Sequence, residues 1–178
     1  MTNMKTWKWG RIFLGLLVVN VIFSMILGFY SNKVYADTTG WVDASIDSKD
    51  TAQIVVNLGK ARDGLTKWEA TTGNAYLLGP TPQSDMAEVA KNLDSYIARA
   101  EAINKLDKNS KEYQDGLTDL NDSLYSFYLF ADDFWLRHQA IVPFLVSLLI
   151  SFAQFISFAL MIAYYFINKR PQPTLEKV

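Results

Sequence analysis

The residues best suited to chemistry stand together in "FADDFWLRHQ", residues 130–139. Asp132 and Asp133 are adjacent acids, Arg137 is basic, and His138 is the only histidine of the chain. Carboxylates and an imidazole can hold a metal ion when they converge on one point. Side chains on one face of a helix are three or four residues apart, whereas His138 lies six and five residues after the two acids. At about 100° per residue neither acid points where the histidine points, so the spacing disfavours a local metal site.

A second interpretation of this stretch is structural. Asp133 and Arg137 are four residues apart in the order that favours an exposed helical ion pair. A long run without charged residues begins directly after His138. We therefore predict that Trp135, Arg137 and His138 mark a membrane surface, where aromatic and basic side chains are enriched. The alternative to this structural interpretation is a pH-responsive role for His138, since imidazole titrates near neutral pH.

Composition removes several classes of catalytic site. The 178-residue chain has no cysteine and one histidine, which excludes disulfides, thiolate metal sites, cysteine nucleophiles and a histidine triplet for zinc. It also contains no HExxH motif, no glycine-rich phosphate loop and no GxSxG elbow. We therefore expect no catalytic, cofactor-binding or metal-binding residue and predict that the protein is not an enzyme. The sequence does not indicate whether it binds a small molecule.

Two uncharged runs are long enough to cross a membrane. They cover residues 12–32 and 139–168, and a transmembrane helix needs about 20 apolar residues. The second run has 30 residues, so we expect it to tilt or to project beyond the bilayer. The sequence thus predicts an integral membrane protein with two transmembrane helices.

The charges on either side of these runs predict an orientation. Basic residues flank both runs on the terminal side, at Lys5, Lys8, Arg11, Lys169 and Arg170. Short basic flanks stay in the cytoplasm, so segments 1–11 and 169–178 are predicted to be cytoplasmic in a multi-pass protein of the plasma membrane. Residues 31–139 carry 11 basic and 17 acidic residues and are expected outside. This acidic balance argues against nucleic-acid binding, which requires clustered basic surface.

The first run has an alternative interpretation as a signal peptide. Val34 and Ala36 are small residues in the positions that precede a cleavage site, and a basic segment and an apolar core come before them. Cleavage between Ala36 and Asp37 would remove residues 1–36 and leave a single-pass protein. The apolar core of about 19 residues is longer than the ~7–15 of most signal peptides, which favours retention of the span.

Residues 33–138 are predicted to form an extracytoplasmic, antiparallel bundle of three helices. Three segments repeat apolar residues at steps of three and four, as in helices with coiled-coil-like seams. The segments run from Ile54 to Trp68, from Met86 to Ile103 and from Tyr113 to His138. Asp85 and Asn109 precede Glu88 and Glu112 by three residues, the spacing of a capping box.

The segments between these helices carry two further expectations. With the first span retained, the chain must return to the far end of the bundle before the first bundle helix begins. We expect either the polar segment 32–48 to run extended over this distance, up to about 50 Å, or the long loop after that helix to make the return. The loop between the first two helices is partly apolar at Tyr76, Leu77 and Leu78. We expect these three side chains to plug the end of the bundle, or else to form a contact surface.

Polar residues recur inside both uncharged runs. They are Asn20, Ser24 and Gly28 in the first and Ser147, Ser151 and Gln154 in the second. Small residues let helices approach closely, and hydroxyls and amides bond across them. We predict that these six residues are transmembrane packing positions and that Asn20 faces Gln154, within or between protomers. A pore lining is the alternative, and the lack of charge in both runs weakens a proton relay or ion transporter.

In outline this order of span, helical outer bundle and span is similar to the ligand-sensing part of bacterial chemoreceptors and sensor kinases. Only about ten residues follow the second run, so we expect any signal to pass to a partner in the membrane. We predict a non-catalytic accessory or sensor-like subunit that binds other membrane protein subunits or itself. The alternatives are a homo-oligomeric channel or pore with a helical cap and a structural subunit of a membrane enzyme complex.

Overall fold

The structure, a computed structural model, describes residues 3–76 and 79–169, with side chains for residues 8–76 and 79–167. These residues form seven α-helices and a short 3₁₀ helix, Pro82–Ser84, and contain no β-strand. The helices are α1 Asn3–Asp37, α2 Thr39–Ile46, α3 Thr51–Lys67, α4 Met86–Asn104, α5 Lys111–Tyr125, α6 Ala131–His138 and α7 Ile141–Lys169. The prediction of an all-α fold is therefore confirmed. Predictions for the tail beyond Lys169, and for Leu77 and Leu78, lie outside the described residues.

The chain divides into two compact units. The first contains the α1 residues up to Leu27 together with the α7 residues from Val142 onward. The second is Gly28–Ile141, which contains the last turns of α1 and all of α2 to α6. Helix α1 thus contributes to both units without a break.

Helices α1 and α7 are long and apolar enough to cross a membrane. Their apolar side chains are exposed on every face, as consecutive residues such as Val18 and Val19 or Leu148 and Leu149 illustrate. An apolar helix inside a soluble protein would instead be mostly buried by its neighbours. This difference separates both helices from the core helices of the second unit.

The first two helices predicted for the second unit are confirmed as α3 and α4, and the predicted bundle architecture is confirmed with them. They pack antiparallel, since Thr51 bonds Asn104 near one end and Arg62 bonds Asp94 further along. Helices α4 and α5 are antiparallel as well, with Ile103 close to Gly116 and Arg99 bonded to Asp119. The fully buried side chains of these helices include Ile54, Leu58, Leu65, Met86, Leu93, Leu120 and Leu124.

The third predicted helix is wrong as a single element. It is divided into α5 and α6, and residues 126–130 between them are not helical. Most of the periodic positions on both sides are buried as expected, including Leu124 and Phe134. Two are not, since Phe127 is half-buried and His138 is exposed. Leu129 explains the interruption, because it is buried at 2% exposure although it stands outside the helical period of its neighbours. Ser, Phe and Tyr in "SFYLF" also have modest helix propensity, so ending the helix there costs little free energy.

The expectation of an extended segment over residues 32–48 is also wrong. Helix α1 continues to Asp37, and α2 follows after one residue. The buried residues of this segment are Val34, Thr38, Val42 and Ser45, spaced by four, four and three. Two of them are hydroxyl residues that bond backbone carbonyls one turn earlier in the helix, which lets them face a core. Because two of the four buried residues are polar, the spacing of apolar residues alone does not predict this face.

One of the two predicted helix caps is confirmed. The Asp85 carboxylate accepts a hydrogen bond from Ala87 N at 2.9 Å and caps α4. The second prediction was wrong by one residue, since Ser110 rather than Asn109 caps α5 and accepts from Tyr113 N at 3.1 Å. Asp50 caps α3 in the same way.

Candidate functional site

Helices α1 and α7 contact each other through side chains in an antiparallel register. Phe13 and Phe158 have ring centroids 5.5 Å apart, and Asn20 contacts Ser151. A Cβ on Gly10 would lie 3.9 Å from Met161 Sδ. The α1 position rises from 10 to 13 to 20 while the α7 position falls by the same steps, from 161 to 158 to 151. This register places Leu17 level with Gln154 and Ser24 level with Ser147.

A polar cluster of four residues lies within this apolar pair. Asn20 Nδ2 donates to Ser151 Oγ at 2.8 Å and to Gln154 Oε1 at 3.2 Å. Ser147 Oγ lies 3.3 Å from Asn20 Oδ1 and donates to it. Ser151 Oγ in turn donates to the carbonyl oxygen of Ser147 at 2.9 Å. The structure therefore brings together, within one chain, the two amides that the sequence predicts to face each other.

Two of the predicted packing residues do not join this cluster. Ser24 is exposed, and its hydroxyl has no hydrogen-bond partner among the described residues. A Cβ added to Gly28 would meet no atom within 4 Å, so no helix approaches closely there within the chain. Ser24 instead borders an open groove that runs along α1 past Leu17, Asn20, Val21 and Met25.

In the second unit, Trp135 is buried in an aromatic stack. Its indole is 6% exposed and lies 5.9 Å from the Tyr30 ring in a stacked arrangement. The Trp68 ring meets it edge-on at 6.3 Å. Such pairs stabilise a core beyond their buried area. Trp135 therefore packs within its own unit, and of these three rings Tyr30 is the exposed one.

Arg137 and His138 of α6 contact the long loop between α3 and α4 and hold it against α6. His138 Nε2 lies 2.7 Å from the carbonyl oxygen of Asn74, and its ring stacks on Phe134 at 4.4 Å. The Arg137 guanidinium lies over the Tyr76 ring, 5.2 Å from its centroid. The expected Asp133–Arg137 ion pair is absent from the described residues, because the guanidinium turns toward the loop. Tyr76 also packs edge-on against Phe130, at 5.4 Å.

Asp132 is the least satisfied polar residue of α6. Its Oδ1 is buried and has no hydrogen-bond partner among the residues that the structure describes. Burial raises the pKa of Asp132 to about 6, and the adjacent Asp133 carboxylate adds to the shift. Burial also raises the pKa of Tyr128, and the charges of Asp133 and, more weakly, Asp132 add to that shift. The sequence points to no such role for Asp132, because burial of a helical acid depends on what packs against it.

The residues of the alternative cleavage site lie at the end of α1. Ala36 is exposed in the last helical turn. The Asp37 carboxylate accepts from Lys67 Nζ at 2.7 Å and from Trp68 Nε1 at 3.1 Å. Val34, in the same turn, is fully buried. The peptide bond between Ala36 and Asp37 is thus part of the folded unit.

No three histidine or acidic side chains among the described residues converge as a metal site would require. Neither models of known protein families nor searches of curated proteins and of solved structures produced a match to this chain. The candidate functional features therefore rest on the structure alone. They are the polar cluster with the groove beside it, and the α6 segment with its aromatic contacts.

Proposed function

We propose that this chain is a two-span membrane protein that acts as a non-catalytic accessory or sensor-like subunit and binds a partner membrane protein. The observation that carries the proposal is the exposure of apolar side chains on all faces of α1 and α7. Apolar surface of this extent is unfavourable in water. Lipid and the helices of a partner protein are the two surroundings that suit it.

The distribution of charge supports an orientation for this protein. Lys5, Lys8 and Arg11 precede the first span, and Lys169 and Arg170 follow the second. By the positive-inside rule both ends are cytoplasmic, and the unit Gly28–Ile141 stands outside. That unit is where a sensor-like subunit would meet an external ligand or partner.

The polar cluster supports binding rather than transport. Amides and hydroxyls within a membrane fix one helix against another, and the intrachain bonds of Asn20 act in this way. Neither span contains an acidic or basic residue that could carry a proton or coordinate an ion. A subunit of this kind contributes helices and contact surface to an assembly.

A pull-down from native membranes in mild detergent, with a tag at Val178, tests the proposal. We expect foreign membrane subunits in fixed stoichiometry with the bait. Repeated copies of this chain alone, together with current across a bilayer, would contradict the accessory role and favour a channel. Release of the protein from membranes by alkaline carbonate would contradict membrane insertion itself.

The absence of cysteine makes the orientation directly testable. Lys49→Cys lies at an exposed position of the second unit and should react with a membrane-impermeant maleimide on intact cells. Lys8→Cys is the matched control and should react only after the cells are permeabilised. The opposite pattern would reverse the proposed orientation.

A further inference from the structure

The side-chain amide of Gln154 makes only some of its possible hydrogen bonds among the described residues. Its Oε1 accepts a hydrogen bond from Asn20 Nδ2, whereas its Nε2 has no acceptor among the described residues. An amide nitrogen offers two donors. In a hydrocarbon environment water cannot satisfy them, and an unpaired donor there is costly. The Gln154 amide therefore requires an acceptor beyond the described residues of this chain.

The groove on α1 includes Asn20, the residue to which this amide is hydrogen-bonded. Leu17, Asn20, Val21, Ser24 and Met25 line it. The register of the helix pair places Leu17 level with Gln154. Ser24 contributes a second polar group that has no partner within the described part of the chain. A helix seated along the groove would meet Ser24, cover the apolar side chains beside it and pass Gln154 at the level of Leu17.

We propose that the occupant of this groove is a second copy of the chain, with the two Gln154 amides paired across a two-fold axis. In this pair each Nε2 donates to the other copy's Oε1, whose second lone pair is free because Asn20 uses only one. A primary amide is complementary to itself, so one residue satisfies both sides of a symmetric interface. Both spans lack charge, so no ionic group selects a different helix.

This inference rests on the proposed membrane insertion and adds self-association to it. The accessory subunit would enter its larger assembly as a dimer. Ser24 favours the arrangement, since a small hydroxyl residue at the rim of the groove lets a second helix come close.

Self-association is measured with the full chain in phosphatidylcholine vesicles, by energy transfer between labelled copies at decreasing protein-to-lipid ratio. Disulfide cross-linking then identifies the face, because the chain has no cysteine of its own. Ser24→Cys should cross-link efficiently. Ile26→Cys is the matched control at similar depth, about 200° further round the helix. Equal cross-linking at the two positions would overturn the proposed face.

Three substitutions test the amide pair. Gln154→Leu should raise the dissociation constant of the dimer about tenfold. This is the size of effect expected from an interhelical polar contact in a membrane. Ser157→Ala is the control, because the Ser157 hydroxyl bonds only the Ala153 carbonyl of its own helix. Asn20→Ala removes the intrachain bond and one side chain of the groove but keeps the Gln154 amide, so its effect should be smaller than that of Gln154→Leu. A loss with Asn20→Ala as large as that with Gln154→Leu would overturn the proposed pairing.

The other outcomes are equally decisive. A monomer at all protein-to-lipid ratios, or a complex of one copy with a foreign helix, overturns the dimer and leaves the accessory function standing. Extraction by alkaline carbonate would instead overturn the membrane insertion on which both proposals depend.

Discussion

Gly64 of α3 lies directly against the backbone of Asp37 at the end of α1. A Cβ at position 64 would overlap the Asp37 carbonyl oxygen and come within 2.9 Å of Thr38 Cγ2. The close contact of these two segments therefore depends on the absence of a side chain at Gly64. It is the point at which α3 fixes the end of the long first helix.

Gly64→Ala should destabilise the second unit. Because the obstruction is backbone rather than a flexible side chain, the helices must move apart, and we expect a loss of about 1–3 kcal/mol. Gly59→Ala in the same helix is the matched control, since a Cβ there meets nothing within 4 Å. Alanine's better helix propensity should make that variant up to about 1 kcal/mol more stable. Chemical denaturation of both variants, followed by circular dichroism, measures the difference, and equal effects would contradict the packing.

The buried carboxyl of Asp132 should give the second unit an unusual pH dependence. The folded-state pKa, about 6, lies above the ordinary value of 3.8, so the folded protein favours protonated Asp132. This contribution to stability is present at low pH and is lost as pH rises from about 4 through about 6. Asp132→Asn should remove the dependence and raise stability at pH 7 by about 1–2 kcal/mol, a range reduced for partial solvent screening.

Urea denaturation of the wild type and of Asp132→Asn at pH 4.5, 6 and 7.5 checks this prediction. Asp94→Asn is the control, because Asp94 is an exposed acid with an ion-pair partner, Arg62. A wild type whose stability changes with pH no differently from Asp132→Asn would contradict the assigned burial of the carboxyl group.

A buried hydroxyl cluster should hold the start of α3. Thr51 is fully buried, and its Oγ1 lies 3.0 Å from Asn104 Oδ1 and 3.3 Å from the Tyr113 hydroxyl. Thr51→Val leaves these two groups without their shared partner, so we expect a loss of about 1–2 kcal/mol. Thr118→Val is the exposed control, whose hydroxyl bonds only the Gln114 carbonyl one turn away. That variant should change stability by less than about 0.5 kcal/mol.

The N-terminal helix should remain attached in the mature protein. Val34 is part of the buried core, and Asp37 bonds Lys67 and Trp68. Cleavage after Ala36 would remove Val34 from that core and Asn20 from the polar cluster. The intact mass of protein purified from membranes should therefore include residues 2–36. A mass that begins at Asp37 would contradict this prediction and leave only one of the two apolar helices.

The polar cluster shows how far spacing predicts a site. Asn20, Ser24 and Gly28 recur every four residues, and their spacing predicts the same packing role for all three. Only Asn20 bonds α7 in the structure. Which member of such a stripe faces the neighbouring helix depends on rotation and register, and these are fixed by contacts such as Phe13 with Phe158.

The sequence by itself determined the all-helical class, the two long apolar helices and the buried faces of α3, α4 and α5. These follow from local spacing, because a helix turns every 3.6 residues whatever surrounds it. Tertiary structure alone decided the break at residues 126–130, the helical course of residues 33–46 and the partners of Asn20 and Arg137. Burial of Leu129, Thr38 and Ser45 depends on the elements packed against them. No pattern within a single segment contains that information.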